Sequence, residues 1–291
     1  MISQEQILKK QNENKMLRCQ FAARVYFNNA ELLNYASWAF SVLSALTLFL
    51  PNGDSTIIMV TPLIIDIIAY LFHYFAEKEV NIAAKLRNYF DSVVLNIHPE
   101  NYQEIQSNHL WEKANKVCSK RQKDCQIQMS NTGRDTPPGV KDWYELSNNH
   151  SGRNPVYECQ LQNCWWNNKL CRKRIILSSA ISVVLIALSI IAMDLFSVGV
   201  IRIAVCFITL FFNLIDSIRD NIRYIHLSMK MDTLIETPDI DKVPSQIEYL
   251  QELICRRREI LVLEINILHK KFAKKWSEEY EQISKDSVNI S

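Results

Sequence analysis

The sequence predicts an all-α polytopic membrane protein, with two transmembrane helical hairpins (four helices) and cytoplasmic helical extensions. Three observations predict it. Four long apolar runs fall in two tight pairs, lysine and arginine flank the pairs but are missing from their turns, and helical apolar periodicity continues past the runs into polar sequence. The chain of 291 residues is 48% hydrophobic, yet its mean hydropathy is only -0.08. Apolar and polar stretches alternate, which a single soluble domain does not produce. With 33 basic and 31 acidic residues the net charge is +2, so bulk charge gives no reason to expect nucleic-acid binding.

Residues 1–30 read as an N-terminal cytoplasmic helix. They are polar, with no early apolar core or small-residue cleavage site, so a cleaved signal peptide is not expected. Residues 31–76 form the first transmembrane hairpin. Its two runs, Leu33 to Leu50 and Thr56 to Phe75, are each long enough to cross a hydrocarbon core of about 30 Å. The turn between them, PNGDS, is too short for anything but an antiparallel pair.

Residues 77–174 form a cytoplasmic middle region. Ile82, Leu86, Phe90, Val93 and Ile97 mark one helical face, so the second helix is expected to continue to Pro99. A polar helical stretch follows from Glu100 to Met129, and NTGRDTPPGV is a loop by composition. A further helix starts near Val156 and runs into the third span. Its face of Tyr157, Leu161, Cys164, Trp165 and Asn168 is expected to pack on the neighbouring helices.

Residues 175–218 form the second hairpin, from the runs at Ile175 to Met193 and Phe196 to Ile215. Residues 219–291 form a C-terminal cytoplasmic helical region. Ile218, Ile222, Ile225 and Met229 extend the fourth helix toward Pro238, and Ile254, Arg258, Leu261, Ile265, Leu268 and Phe272 trace a heptad-like seam. That seam packs within the chain or joins copies into a homo-oligomer. Lys9, Lys10, Lys15, Arg18 and Arg24 precede the first run, Lys78, Lys85 and Arg87 follow the second, Arg172, Lys173 and Arg174 abut the third, and Arg219, Arg223 and Lys230 follow the fourth. This placement puts both termini and the middle region in the cytoplasm.

Two charges fall inside the runs. Asp66 sits near the bilayer centre and Arg202 about 6 Å away in depth at 1.5 Å per residue. They form a structural salt bridge, they line an aqueous path, or Arg202 snorkels outward and Asp66 is protonated. Of the eight cysteines, seven lie in segments placed in the reducing cytoplasm and none is spaced as a zinc CxxC pair, so neither a disulfide framework nor a metal is expected. The chain has no Walker loop, HExxH, GxSxG or glycine-rich phosphate cradle, so it is not read as an enzyme and no cofactor is expected.

Several short motifs carry a resemblance. They are Phe90 and Asp91 in NYFDSVVL, the triplet Asp142, Trp143 and Tyr144, and Cys159, Gln160, Asn163 and Trp166 in CQLQNCWW, with an alanine-rich FAARVYFNNAE before the first run. The combination resembles the SMODS-associating four-transmembrane effector family over nearly the whole chain. The resemblance implies a pore-forming or membrane-disrupting effector of a bacterial antiphage system, multi-pass in the inner membrane. It also implies triggering by a cyclic oligonucleotide from an operon-encoded nucleotidyltransferase. Family members typically carry a proline after the triplet; Glu145 stands there in this chain, so that loop is expected to differ. If such a ligand binds, its phosphates need cations. Arg153, Arg172 to Arg174, and Arg256, Arg257 and Arg258 are the available basic groups. The alternatives are a small-solute or ion transporter or channel, and a non-enzymatic membrane scaffold or sensor.

Overall fold

The computed structural model describes residues 2–50, 56–98, 104–146, 154–165, 200–237 and 240–262, with further helical residues at 176, 179–184, 186–187 and 190–191. Among them there is no strand, and pairing is limited to an isolated bridge between Thr132 and Lys141. The helices are α1 (Gln4–Gln11), α2 (Asn14–Leu46), α3 (Thr56–Leu95), α4 (Glu104–Lys120), α5 (Gln122–Ser130), α6 (Pro155–Trp165), α7 (Val200–Ile235) and α8 (Pro244–Arg258). Parts of the third run, the segment from 263 onward and Trp166 lie outside the described residues.

Local chemistry sets the ends of these elements. Ser3 and Gln6 cap α1 reciprocally, each side chain meeting the other's backbone N–H. Pro244 opens α8 at a first-turn position, where its missing N–H costs nothing. The boundary expected at residue 30 falls inside α2, which is continuous from the polar end into the apolar run. Helix α3 likewise continues to Leu95, and α7 to Ile235.

Among the described residues, three helices are long and apolar enough to cross a membrane: Asn14–Phe49 (including a 3-10 turn), Ile57–Leu95 and Val200–Ile235. Their contacts fix direction. Ser44 meets Pro62, Phe40 stacks on Phe72 at 5.4 Å, Asn29 donates to Glu79 at 3.1 Å, and Arg87 lies over Phe27. Rising numbers on one helix against falling numbers on the other make α2 and α3 antiparallel. Asn213 meets Ser37 and Ser41 while Cys206 meets Thr47, so α7 is antiparallel to α2 as well. The outer faces are apolar: Leu43, Leu46, Ile57, Ile64, Ile67, Ile201, Phe212 and Ile215 are all exposed. Water would penalise such surfaces at about 25 cal/mol per Å²; lipid does not.

The remaining helices gather into a head around the polar ends of α2 and α3. Its main core joins Ile7, Met16, Leu86, Phe90, Val94, Leu95 and Tyr144, with Ile247 of α8 packed in. A second core sets Tyr157 and Cys164 of α6, with Leu161 at its edge, against Met231 of α7 and Leu250, Leu253 and Ile254 of α8. The α6 face read from the sequence thus packs on the α7 extension. The C-terminal seam packs within the chain, but its helix ends at Arg258 rather than running toward Phe272, and Ile265, Leu268 and Phe272 lie outside the described residues. The polar stretch before the loop divides into α4 and α5 at Arg121. Beyond it, the backbone N–H groups of Gly139 and Val140 donate to Thr132 and Gln128, and Arg24 of α2 donates to the carbonyls of Pro138 and Gly139 at 2.7 and 2.8 Å.

Candidate functional site

The head is organised around one carboxylate. Asp91, on the buried face of α3, is fully buried. One of its oxygens accepts the Tyr144 hydroxyl at 2.6 Å; the other accepts Arg258 at 2.7 Å and Gln251 at 3.0 Å. Arg258 also donates to Asn88 at 3.3 Å. Asn163 of α6 donates to the Tyr144 oxygen at 2.9 Å, and Gln160 donates to the Ile247 carbonyl and the Gln251 side chain. Gln11 of α1 clamps Tyr144 through its backbone, accepting from its N–H at 2.8 Å and donating to its carbonyl. Helices α1, α3, α6 and α8 and the loop at 142–144 therefore meet at this group. Isolated, a buried carboxylate would be unstable by several kcal/mol; here both oxygens are hydrogen-bonded and the charge is paired.

The electrostatics follow from that burial. Desolvation and the Asp91 charge together hold the Tyr144 phenol well above its ordinary range. Burial works against the Arg258 charge, but Asp91, Tyr144 and Cys255 together outweigh it and the guanidinium lies above its usual value. Burial also raises the Cys159 thiol, which packs in the same core. These groups are fixed in one protonation state at neutral pH, which suits a joint rather than a proton-transfer centre.

Asp142 adopts a left-handed backbone, φ 50°, a region asparagine and aspartate tolerate best. It is held by Asn12 twice: Asn12 donates to its carboxylate at 2.6 Å and accepts from its N–H at 3.1 Å. Trp143 is partly buried with the Arg87 guanidinium 4.8 Å from its ring. Glu145 donates its N–H to Gln162 at 3.2 Å, a bond a proline could not make, and its carboxylate meets Arg134 at 2.6 Å.

The motif residues Phe90, Asp91, Asp142, Trp143, Tyr144, Cys159, Gln160 and Asn163 thus gather in one place although up to 73 positions separate them in the sequence (163 − 90). The family model of the SMODS-associating 4TM effector domain matches residues 5–283. The chain belongs to that family. Comparison with curated proteins and with solved structures gives no match. With its apolar helices, this 4TM effector chain is a multi-pass membrane protein.

The basic candidates separate. Arg258 is an internal partner of Asp91, which explains why a charge interrupts the apolar seam of the effector's C-terminal helix. Arg257 is buried, donates to the Asn163 carbonyl at 2.6 Å and lies over Tyr224. Arg256 faces outward and pairs with Glu252 at 2.6 Å. Arg153 and Arg172 to Arg174 lie outside the described residues. Among the described residues no cluster of His, Cys, Asp and Glu could hold a metal, and the cysteines present are free.

Within the apolar helices, Asp66 and Arg202 are not paired. Arg202 donates to the carbonyls of Leu48 and Leu50 at 3.1 and 3.0 Å, closing the C-terminal end of α2. Arg202 is thus satisfied at the end of the bundle, away from Asp66 deeper in it. The salt-bridge reading is thereby corrected. Asp66 is buried with neither oxygen hydrogen-bonded, beside Ser44 and Thr209.

The sequence reading missed the polar residues around it. On α2, Asn34, Ser37, Ser41, Ser44 and Thr47 are all buried, and on α7 Cys206, Thr209, Asn213 and Asp220 are too. Asn213 donates to Ser37 at 3.2 Å and Ser41 at 2.8 Å, and Thr47 meets Cys206 at 3.5 Å. At the head-side end His73 lies 3.9 Å from Asp216, in a cleft lined also by Asn34, Trp38, Asn213 and Asp220. The signal was available: hydroxyl and amide residues recur every three or four positions within runs that average as apolar.

Proposed function

We propose that this chain is the membrane-breaching effector of a bacterial antiphage system, quiescent until a cyclic oligonucleotide from a SMODS-class nucleotidyltransferase reaches it. In this reading four helices span the inner membrane as two hairpins, and the head, both termini and the middle region face the cytoplasm. The chain does no chemistry of its own. Its output is loss of the membrane's barrier.

One observation carries the reading. Helix α3 holds both Asp91, where the head converges, and Asp66, in the apolar bundle, on one uninterrupted helix. The 25 residues between them (91 − 66) amount to about 37 Å of rigid rod at 1.5 Å per residue. A change in how α6, α8 or the 142–144 loop seats on Asp91 is therefore a change in the position of α3 within the bilayer. Arg256 is the outward-facing cation of the C-terminal arginine run and the group we assign to an anionic signal, with Arg153 a further candidate from the sequence.

Inducing the chain alone and together with a SMODS-class nucleotidyltransferase, while following membrane potential with a voltage-sensitive dye, tests this directly. Depolarisation is expected within minutes when both are present. Unchanged potential under every condition sinks the proposal. Asp66→Leu separates it from a scaffold or sensor role: a scaffold keeps its activity, a breach does not.

A further inference from the structure

Depth is what sets the buried polar residues apart from ordinary helix packing. From Arg202 to Asp220 the polar face of α7 advances 18 residues (220 − 202), in steps of three and four through Cys206, Thr209, Asn213 and Asp216. That is about 27 Å of helix, close to the thickness of a hydrocarbon core. The serine face of α2 lies against it, and α3 adds Asp66 midway and His73 at the head-side end. A polar seam thus runs from one end of the apolar bundle to the other, packed shut around Asp66 and opening at the head-side end into the cleft beside His73.

Helix adhesion accounts for part of this seam. Small and hydroxyl residues let helices approach closely, and Asn213 bridging Ser37 and Ser41 is an interhelical tie. Adhesion does not account for Asp66 or Thr209. The Thr209 hydroxyl and both Asp66 oxygens have no hydrogen-bond partner, and each residue is only 8% exposed. Ser44 beside them turns its hydroxyl to the Pro62 carbonyl. An unanswered carboxylate at mid-depth is destabilising by several kcal/mol unless another group meets it. Oxygen donors around one negative charge suit a hard cation. At the head-side end Asp216 and Asp220 are balanced by Arg219 and Arg223, which pair to them from the more exposed side, so Asp66 is the unpaired carboxylate of the seam. At the other end Arg202 is held on the Leu48 and Leu50 carbonyls.

We infer that the seam between α2, α3 and α7 is a closed conduit for monovalent cations, and that Asp66 with Thr209 and Ser44 is the site where a passing cation exchanges part of its hydration shell. This rests on the membrane-breaching reading and specifies its path: within one chain, cation-selective, opened by parting α7 from α2. A breach formed between copies, or by lipid disruption, would not discriminate by charge at Asp66.

The test is current through planar bilayers of phosphatidylethanolamine and phosphatidylglycerol holding the full chain, under a KCl gradient, with a SMODS-class nucleotidyltransferase and its nucleoside triphosphate substrates added to supply the trigger. The wild type is expected to reverse toward the potassium potential. In Asp66→Asn the potassium-over-chloride permeability ratio is expected to fall about fivefold or more, because one fixed charge in a narrow low-dielectric path dominates ion choice. An unchanged ratio overturns the role assigned to the carboxylate. Should that variant fail to insert, Ser41→Cys in a Cys206→Ser background decides. A cationic methanethiosulfonate is expected to block its current about tenfold faster than an anionic one, with Leu43→Cys on the exposed face unaffected. No block at Ser41→Cys overturns the seam as the path. A wild type that carries no current in bilayers and no depolarisation in cells removes the proposed function itself, and the conduit with it.

Discussion

Asp91 and Arg258 meet at 2.7 Å with side chains 1% and 11% exposed, so removing either leaves the other charged and buried. Asp91→Asn and Arg258→Leu are each expected to destabilise the head by about 3–5 kcal/mol. Joining the two should recover part of that loss, since the double variant strands no charge. Denaturant unfolding in detergent, followed by tryptophan fluorescence, measures all three; strict additivity would show that the pair is not coupled. Two thiols make a second prediction. Burial pushes Cys164 and Cys255 from 9.0 up to about 11 each. A thiol that resists ionising in the fold stabilises it fully below pH 9, and that contribution declines as pH rises from about 9 to about 11. Each can account for roughly 2 kcal/mol. Cys164→Ala and Cys255→Ala should flatten the alkaline stability profile, and an unchanged slope between pH 9 and 11 would refute the assignment.

Among the elements, the loop from Asn131 to Val140 depends on a residue without a side chain. A Cβ on Gly139 would lie 1.7 Å from the Asn131 carbonyl oxygen, which is backbone and cannot move aside cheaply. Gly139→Ala is expected to release the loop from Arg24 and cost about 2 kcal/mol or more. Faster proteolysis between residues 131 and 141 reads this out, whereas Gly133→Ala, with open space around it, should leave cleavage unchanged. Elements were also the scale most legible in the sequence. The apolar faces at three- and four-residue spacing placed the long α3 and the packed face of α6, because burial of one face is what sets such spacing. On the α7 extension the expected face is not the packed one, since Ile222 and Met229 are exposed while Tyr224, Ser228 and Met231 are buried. The end of α8 was not legible. Arg258 looked like a flaw in a continuing seam because its acid lies 167 positions away, and no local pattern announces such a partner. The division at Arg121 was equally hidden, resting on the backbone of a residue with no breaker chemistry.

For the molecule as a whole, the exposed isoleucine, leucine and phenylalanine along α2, α3 and α7 require a lipid surround. The chain is expected to remain with the vesicle fraction through an alkaline carbonate wash and to need detergent for solution; recovery in the aqueous wash would contradict the membrane assignment. The motifs that led from sequence to family share a location, which their separation along the chain could not reveal. Asp66 and Arg202 were visible as charges, but not that Arg202 would close on carbonyls at the end of α2 or that Asp66 would lie between Ser44 and Thr209 of two other helices. Hydropathy averages conceal such groups, since one hydroxyl per helical turn barely alters the mean.

Helix α3 has 40 residues and so measures about 60 Å end to end. Length of this kind gives leverage. Pivoting about Asp91 by about 5° sweeps Asp66, about 37 Å away, through about 3 Å, the breadth of a water molecule. Wetting a dry bundle therefore asks for no refolding and no large domain swing, only a nudge at the hub amplified by the arm.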